Sequence, residues 1–133
     1  MSREIDVRTL SNAALAYLGD SVIELAVREH LVSLGYSSSS HLNSAALDFV
    51  RASAQAQAMK RIMELLDEEE SAIYRRGRNV GHTNTPRSAT VSEYRTATGM
   101  ETLFGWLHVN RRQERIKELF AAAYALNEEN ENN

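Results

Sequence analysis

Cysteine is absent from the 133-residue sequence, which excludes disulfides and thiolate metal sites and agrees with a reducing compartment. There is a single proline and there are six glycines, so few points along the chain force a helix to stop. No stretch of β-branched residues alternates with polar ones, which argues against a half-buried sheet. No apolar run reaches the roughly 18 residues of a membrane-spanning helix, and the opening MSREIDVRTL has no signal-peptide pattern. These absences lead us to expect a cytoplasmic protein. An excess of positive charge is lacking too. The net charge of −3 argues mildly against a nucleic-acid partner. The charges are unevenly spread, however. Acids gather at Asp67–Glu70 and in the tail Asn127–Asn133, arginines at Arg75, Arg76 and Arg78 and again at Arg111, Arg112 and Arg115. The field near each arginine cluster can be positive although the sum is not.

What remains is helical pattern. The length suits one domain, and 43% hydrophobic with 25% charged residues is ordinary for a globular chain. The expectation is an all-α domain over 1–126 and a disordered acidic, Asn-rich tail over 127–133. Residues 1–10 read as an arm or a short capping turn. Ser11 or Asn12 caps a first helix with Leu15, Leu18, Val22, Leu25 and Val27 as its apolar residues, ended by Gly35. Helices follow near His41–Phe49 and Ser53–Leu66. Asp67 with Glu70 forms a capping box opening a helix through about Arg76, and Thr90 with Glu93 forms another. Between them, GRNVGHTNTPRSA at 77–89 has loop composition. A last helix runs from about Arg111 to Leu126.

Two acids stand out. Asp20 lies in the apolar stretch AYLGDSVIELAV directly after Gly19. Glu101 sits between Met100 and Leu103–Phe104 in the most apolar helix, near Gly99 and Gly105. A carboxylate among core residues must be exposed, paired or bound to a cation. For Asp20 the plain alternative is a surface acid, with Glu24 four residues on; for Glu101 it is an ion pair with an arginine. If the two acids share one cation, hard oxygen ligands without His or Cys favour magnesium or manganese. The loop and the arginines before it offer a third feature. Arg75, Arg78 and Arg87 carry forked donors for phosphate, and Asn79, Thr83, Asn84 and Thr85 can hydrogen-bond phosphate or ribose. The four histidines show no metal-ligand spacing, and no nucleophile elbow is present. Trp106 reads as core or interface.

Leu15-Ala16-Tyr17-Leu18-Gly19-Asp20-Ser21-Val22 resembles the signature of ribonuclease III catalytic domains, Leu-Glu-Phe-Leu-Gly-Asp-Ser-Val. Met100-Glu101-Thr102-Leu103-Phe104-Gly105 resembles their second acidic signature. With Arg75-Arg76-Gly77-Arg78-Asn79 and Tyr94-Arg95, the ordered set is similar to the Mini-ribonuclease III subfamily over roughly residues 10–126. That subfamily lacks a double-stranded-RNA-binding domain, and this chain is too short to hold one. The resemblance implies an all-α homodimer that cuts duplex RNA with magnesium (or manganese) and leaves 5′-phosphates. It implies ribosomal RNA precursor as substrate, specifically that of the large subunit (23S). It further implies Asp20 and Glu101 as catalytic, metal-binding acids, and Arg75, Arg78, Asn79, Thr85, Arg87, Tyr94 and Arg95 as RNA contacts. Two further acids of the larger family fall at Ala16 and Thr98, which leaves the number of ions open and raises Glu24 as a replacement ligand. The same two positions motivate a rival: a non-catalytic RNA-binding or scaffolding protein on this fold.

Overall fold

A computed structural model describes residues 6–79 and 89–126, and all regular structure among them is helical. Six α-helices follow a short 3-10 turn at Val7–Thr9: α1 (Asn12–Ser33), α2 (Ser39–Val50), α3 (Ala52–Ile62), α4 (Glu68–Arg78), α5 (Val91–Val109) and α6 (Gln113–Ala123). A second 3-10 turn, Met63–Leu65, extends α3.

The helix starts are written in the sequence. Ser11 caps α1, its hydroxyl accepting from the Ala14 N–H at 3.0 Å. Ser38 does the same for α2 through the His41 N–H. Both capping boxes form: Asp67 accepts from the Glu70 N–H and Glu70 from the Asp67 N–H, and Thr90 and Glu93 exchange the same pair. Each satisfies two N–H groups that a helix start leaves without partners. Gly35, at φ +96°, follows the C-cap of α1 in the left-handed region that glycine enters cheaply.

Helix α5 runs through the centre, with α1, α3, α4 and α6 packed around it. Thr96, Ala97, Gly99, Met100 and every residue from Thr102 to Leu107 are buried. A helix apolar on all sides belongs inside a domain, and each fully buried Leu, Met or Phe contributes roughly 1.5–3 kcal/mol. The face of α1 that enters the core is Leu15, Gly19, Ile23, Val27 and Leu31, at strict four-residue intervals. The apolar set expected from sequence overlaps this only at Leu15 and Val27. Leu25 is instead 59% exposed, and Leu18 and Val22 line a surface groove.

The Asp67–Glu70 capping box doubles as an anchor. The Glu70 carboxylate is buried and receives both the Nε and an Nη of Arg115 at 2.8 Å. The same guanidinium donates to the Leu65 carbonyl, joining α4, α6 and the end of the α3 extension. Arg115 holds the Glu70 carboxyl below its usual range, against the upward push of burial. Trp106 lies in the core, with the Arg112 guanidinium 4.8 Å from its ring centroid. Residues 127–133, expected to be disordered, lie outside the described residues.

Candidate active site

Helices α1 and α5 cross with almost nothing between their backbones. A Cβ placed on Gly19 would overlap the Glu101 carbonyl oxygen and stand 2.9 Å from the Gly105 nitrogen. A Cβ on Gly105 would overlap the Leu15 carbonyl oxygen and stand 3.0 Å from the Gly19 nitrogen. Main chain therefore packs on main chain, which only glycine permits. Asp20 follows Gly19, and Glu101 lies one turn before Gly105. The crossing thus delivers both acids to the same place.

They meet beside a cleft of about 320 Å³ lined by Asn12, Ala13, Ala16, Tyr17 and Asp20 from α1 and by Tyr94, Thr98 and Glu101 from α5. Asp20 is exposed and Glu101 half-buried. The two carboxyl groups are within hydrogen-bonding reach of each other, and the Glu101 pKa is pushed up to about 8. Burial is the largest cause, followed by the negative charge of Asp20 and by the hydrogen bond that a protonated Glu101 makes to it. Among the described residues, none that lines the cleft is cationic. The arginine partner considered for Glu101 is not among the lining residues. Two like charges held together without a counter-charge are costly.

Such a pair suits a hard divalent ion. Magnesium takes oxygen ligands, retains several waters, and is commonly held by one or two carboxylates together with substrate phosphates. Among the described residues no group of three or more His, Cys, Asp or Glu side chains is placed to hold a metal, so the two acids are the protein's charged donors here. Ala16 presents a methyl group to the cleft. The Thr98 hydroxyl donates back to the Tyr94 carbonyl at 2.9 Å. The Glu24 carboxylate pairs with Arg28 at 2.9 Å, and Glu24 lines a separate groove shared with α2 rather than this cleft.

The other expected site residues are more dispersed. Tyr94 lines the cleft. Arg95 is exposed on α5. Arg75 and Arg78 are exposed in the last turn of α4, and Asn79 is its C-cap. That turn packs on the middle of α5, because a Cβ on Gly77 would collide with the Thr102 side chain and meet Gly99 at 3.1 Å. The arginines are thereby fixed beside the segment that carries Thr98 and Glu101. Thr85 and Arg87 lie outside the described residues. Sequence reasoning missed Asn12 and Tyr17 as cleft residues. The signal for Asn12 was its spacing, two four-residue steps before Asp20; the sequence reading considered it only as a cap.

The glycine-locked crossing and its acid pair fall within a segment, residues 13–112, that matches the ribonuclease III domain model. The chain belongs to the ribonuclease III family. Its curated relatives narrow this further. Mini-ribonuclease 3 of Enterococcus faecalis is 42% identical over 116 residues, covering 86% of this chain and 88% of the relative. Mini-ribonuclease 3 of Symbiobacterium thermophilum is also 42% identical, with the same coverage. A crystal structure of a Fusobacterium nucleatum protein superposes with a TM-score of 0.78 at 36% identity, covering 86% of this chain and 92% of that one. The Mini-ribonuclease 3 resemblance read from the motifs therefore holds over most of the chain, and the protein is an endoribonuclease of this family.

Proposed function

We propose that this endoribonuclease cuts duplex RNA as a magnesium-dependent homodimer, with Asp20 and Glu101 as the catalytic, metal-binding acids. The observation that carries the reading is the Asp20–Glu101 pair, two carboxyl groups in mutual reach beside an open cleft with no cationic residue in its walls among the described residues.

When bound, magnesium (or manganese) supplies positive charge to the scissile phosphate and acidity to coordinated water. The chain's own groups do the rest. Half-buried Glu101 and exposed Asp20 would be the two carboxylates that hold the ion. Small Ala13 and Ala16 leave the cleft floor open to a ribose-phosphate strand. Arg75, Arg78 and Arg95 offer forked donors to phosphates outside the cleft, joined by Asn79, Thr85, Arg87 and Tyr94 in holding the duplex. Duplex RNA is read mainly by shape, through phosphates and 2′-hydroxyls. Products would carry 5′-phosphates, and the substrate would be the large-subunit (23S) ribosomal RNA precursor in the cytoplasm.

The homodimer is supported by the surface of α1. An apolar groove of about 450 Å³ runs between α1 and α6, lined by Leu18, Val22, Leu25, Ile116 and Phe120 among others, and Tyr17 stands 85% exposed beside the acids. Contiguous apolar surface of this kind marks an association site, and a dimer would bring two basic clusters to one duplex.

The test is a cleavage assay on a duplex RNA with magnesium and with chelator. Cutting is expected only with the metal. Asp20→Asn and Glu101→Gln should each lower cleavage by about a hundredfold or more while duplex binding persists. Binding without cutting in the wild type would favour the scaffolding alternative. Near-normal cleavage by either variant would remove that acid from the catalytic role.

A further inference from the structure

The cleft holds one polar atom that the acid pair does not explain. Asn12 is the first residue of α1, and its Oδ1 is closed off from solvent yet accepts no hydrogen bond. It is not needed to cap the helix, since Ser11 does that through the Ala14 N–H. Buried acceptors without a partner are rare in folded proteins and unfavourable. The Asn12 side chain is itself only part-buried and lines the open cleft, so a rotation of its amide turns this acceptor towards a donor brought by the ligand.

Position narrows what that donor is. Asn12, Ala16 and Asp20 follow one another at four-residue steps on the cleft side of α1, so Asn12 lies about 12 Å along the helix from Asp20. That is too far to share an ion with Asp20 and Glu101, yet within the track of a strand lying in the same cleft. Between them Ala16 offers only a methyl group, and the Thr98 hydroxyl is already committed to the Tyr94 carbonyl. Phosphate oxygens carry no proton to give. Along the shallow groove of an A-form duplex, the donor repeated at every nucleotide is the ribose 2′-hydroxyl.

We propose that Asn12 accepts a hydrogen bond from a ribose 2′-hydroxyl flanking the scissile phosphate, and so is a residue that selects RNA over DNA. This rests on the duplex-RNA reading above, and it assigns Asn12 to substrate discrimination rather than to chemistry. The Ala and Leu variants should therefore behave differently from variants of the acids.

The experiment is a scan of duplex RNAs, each with a single 2′-deoxynucleotide at successive positions around the cut, measured as kcat/KM with wild type, Asn12→Ala and Asn12→Leu. Wild type should show a position, away from the scissile phosphate itself, where deoxy substitution costs about tenfold, the size of one lost hydrogen bond. Both variants should cut all-RNA substrate about tenfold more slowly and show no added loss at that position, with the rest of the scan unchanged. Their melting temperatures in chelator should equal or exceed wild type, because the lost acceptor had no partner. A flat wild-type scan would overturn the proposal without any variant. Variants that keep the wild-type scan while melting lower would assign Asn12 a structural role instead, and overturn it too. Failure of wild type to cut all-RNA duplex with magnesium would overturn the reading beneath it, a result separable from the others.

Discussion

Glu101 sits half-buried in the most deeply packed helix of the molecule, with the Asp20 carboxyl beside its own. Its folded pKa of about 8 lies above the ordinary 4.5, so the folded state binds the proton more tightly than the unfolded chain does. Folding is then favoured below about 4.5 relative to neutral pH, and that advantage is lost as pH rises towards 8. In chelator, the melting temperature of the wild type should fall across this window, and Glu101→Gln should melt higher than wild type at pH 8. A scanning calorimetry series at fixed ionic strength checks it. A flat profile, with Glu101→Gln no more stable, would mean that neither burial nor the charge of Asp20 raises the Glu101 pKa. Magnesium should restore stability at pH 8 by supplying the counter-charge. The residues that matter most were visible as residues: two acids in apolar surroundings, each near a glycine. The repulsion between them was not visible, because it depends on two helices of unknown relative placement coming together.

The crossing of α1 and α5 decides that placement. Gly19→Ala must push the Glu101 carbonyl away, and backbone cannot yield as a side-chain tip can. It should destabilise the fold by about 3 kcal/mol or more and separate the acids, so that chemical denaturation shows the loss and activity falls further than stability alone explains. Unaltered unfolding of Gly19→Ala would contradict the close approach. Helix existence and starting points were readable, since capping depends on residues within one turn: Ser11, Asp67 with Glu70, and Thr90 with Glu93 all cap as their types require. Which face of α1 turns inward was less readable. Leu18, Val22 and Leu25 are as apolar as Leu15, Ile23 and Leu31. What selects the inner face is Gly19, the place where another backbone fits. Helix α6 is also shorter than its pattern suggested, ending at Ala123, with Ala125 in the left-handed region at φ 56°.

Across the whole molecule, a net charge of −3 coexists with a local basic edge. Arg75 and Arg78 are exposed at the end of α4, which is held to α5 by the Gly77 contact. Each phosphate contact removed should lower the slope of log affinity against log salt by about 1. Filter binding by the cleavage-deficient Asp20→Asn protein, with and without Arg75→Ala and Arg78→Ala, reads this directly. An unchanged slope would take those arginines out of the interface. The sequence distinguished this cluster from the one at Arg111, Arg112 and Arg115 only through resemblance. In the fold the difference is plain: Arg112 and Arg115 are engaged with Glu69, Glu70 and Glu118 and serve the scaffold.

Because the acid pair is positioned by main chain against main chain, the cleft's side walls carry little of the burden of alignment. Ala13 and Tyr17 are therefore free to diverge without disturbing the spacing of the two carboxylates. A lineage can then alter what the cleft admits while the spacing of its two carboxyl groups stays fixed, so that the shape of the opening and the geometry of the acid pair are free to evolve apart.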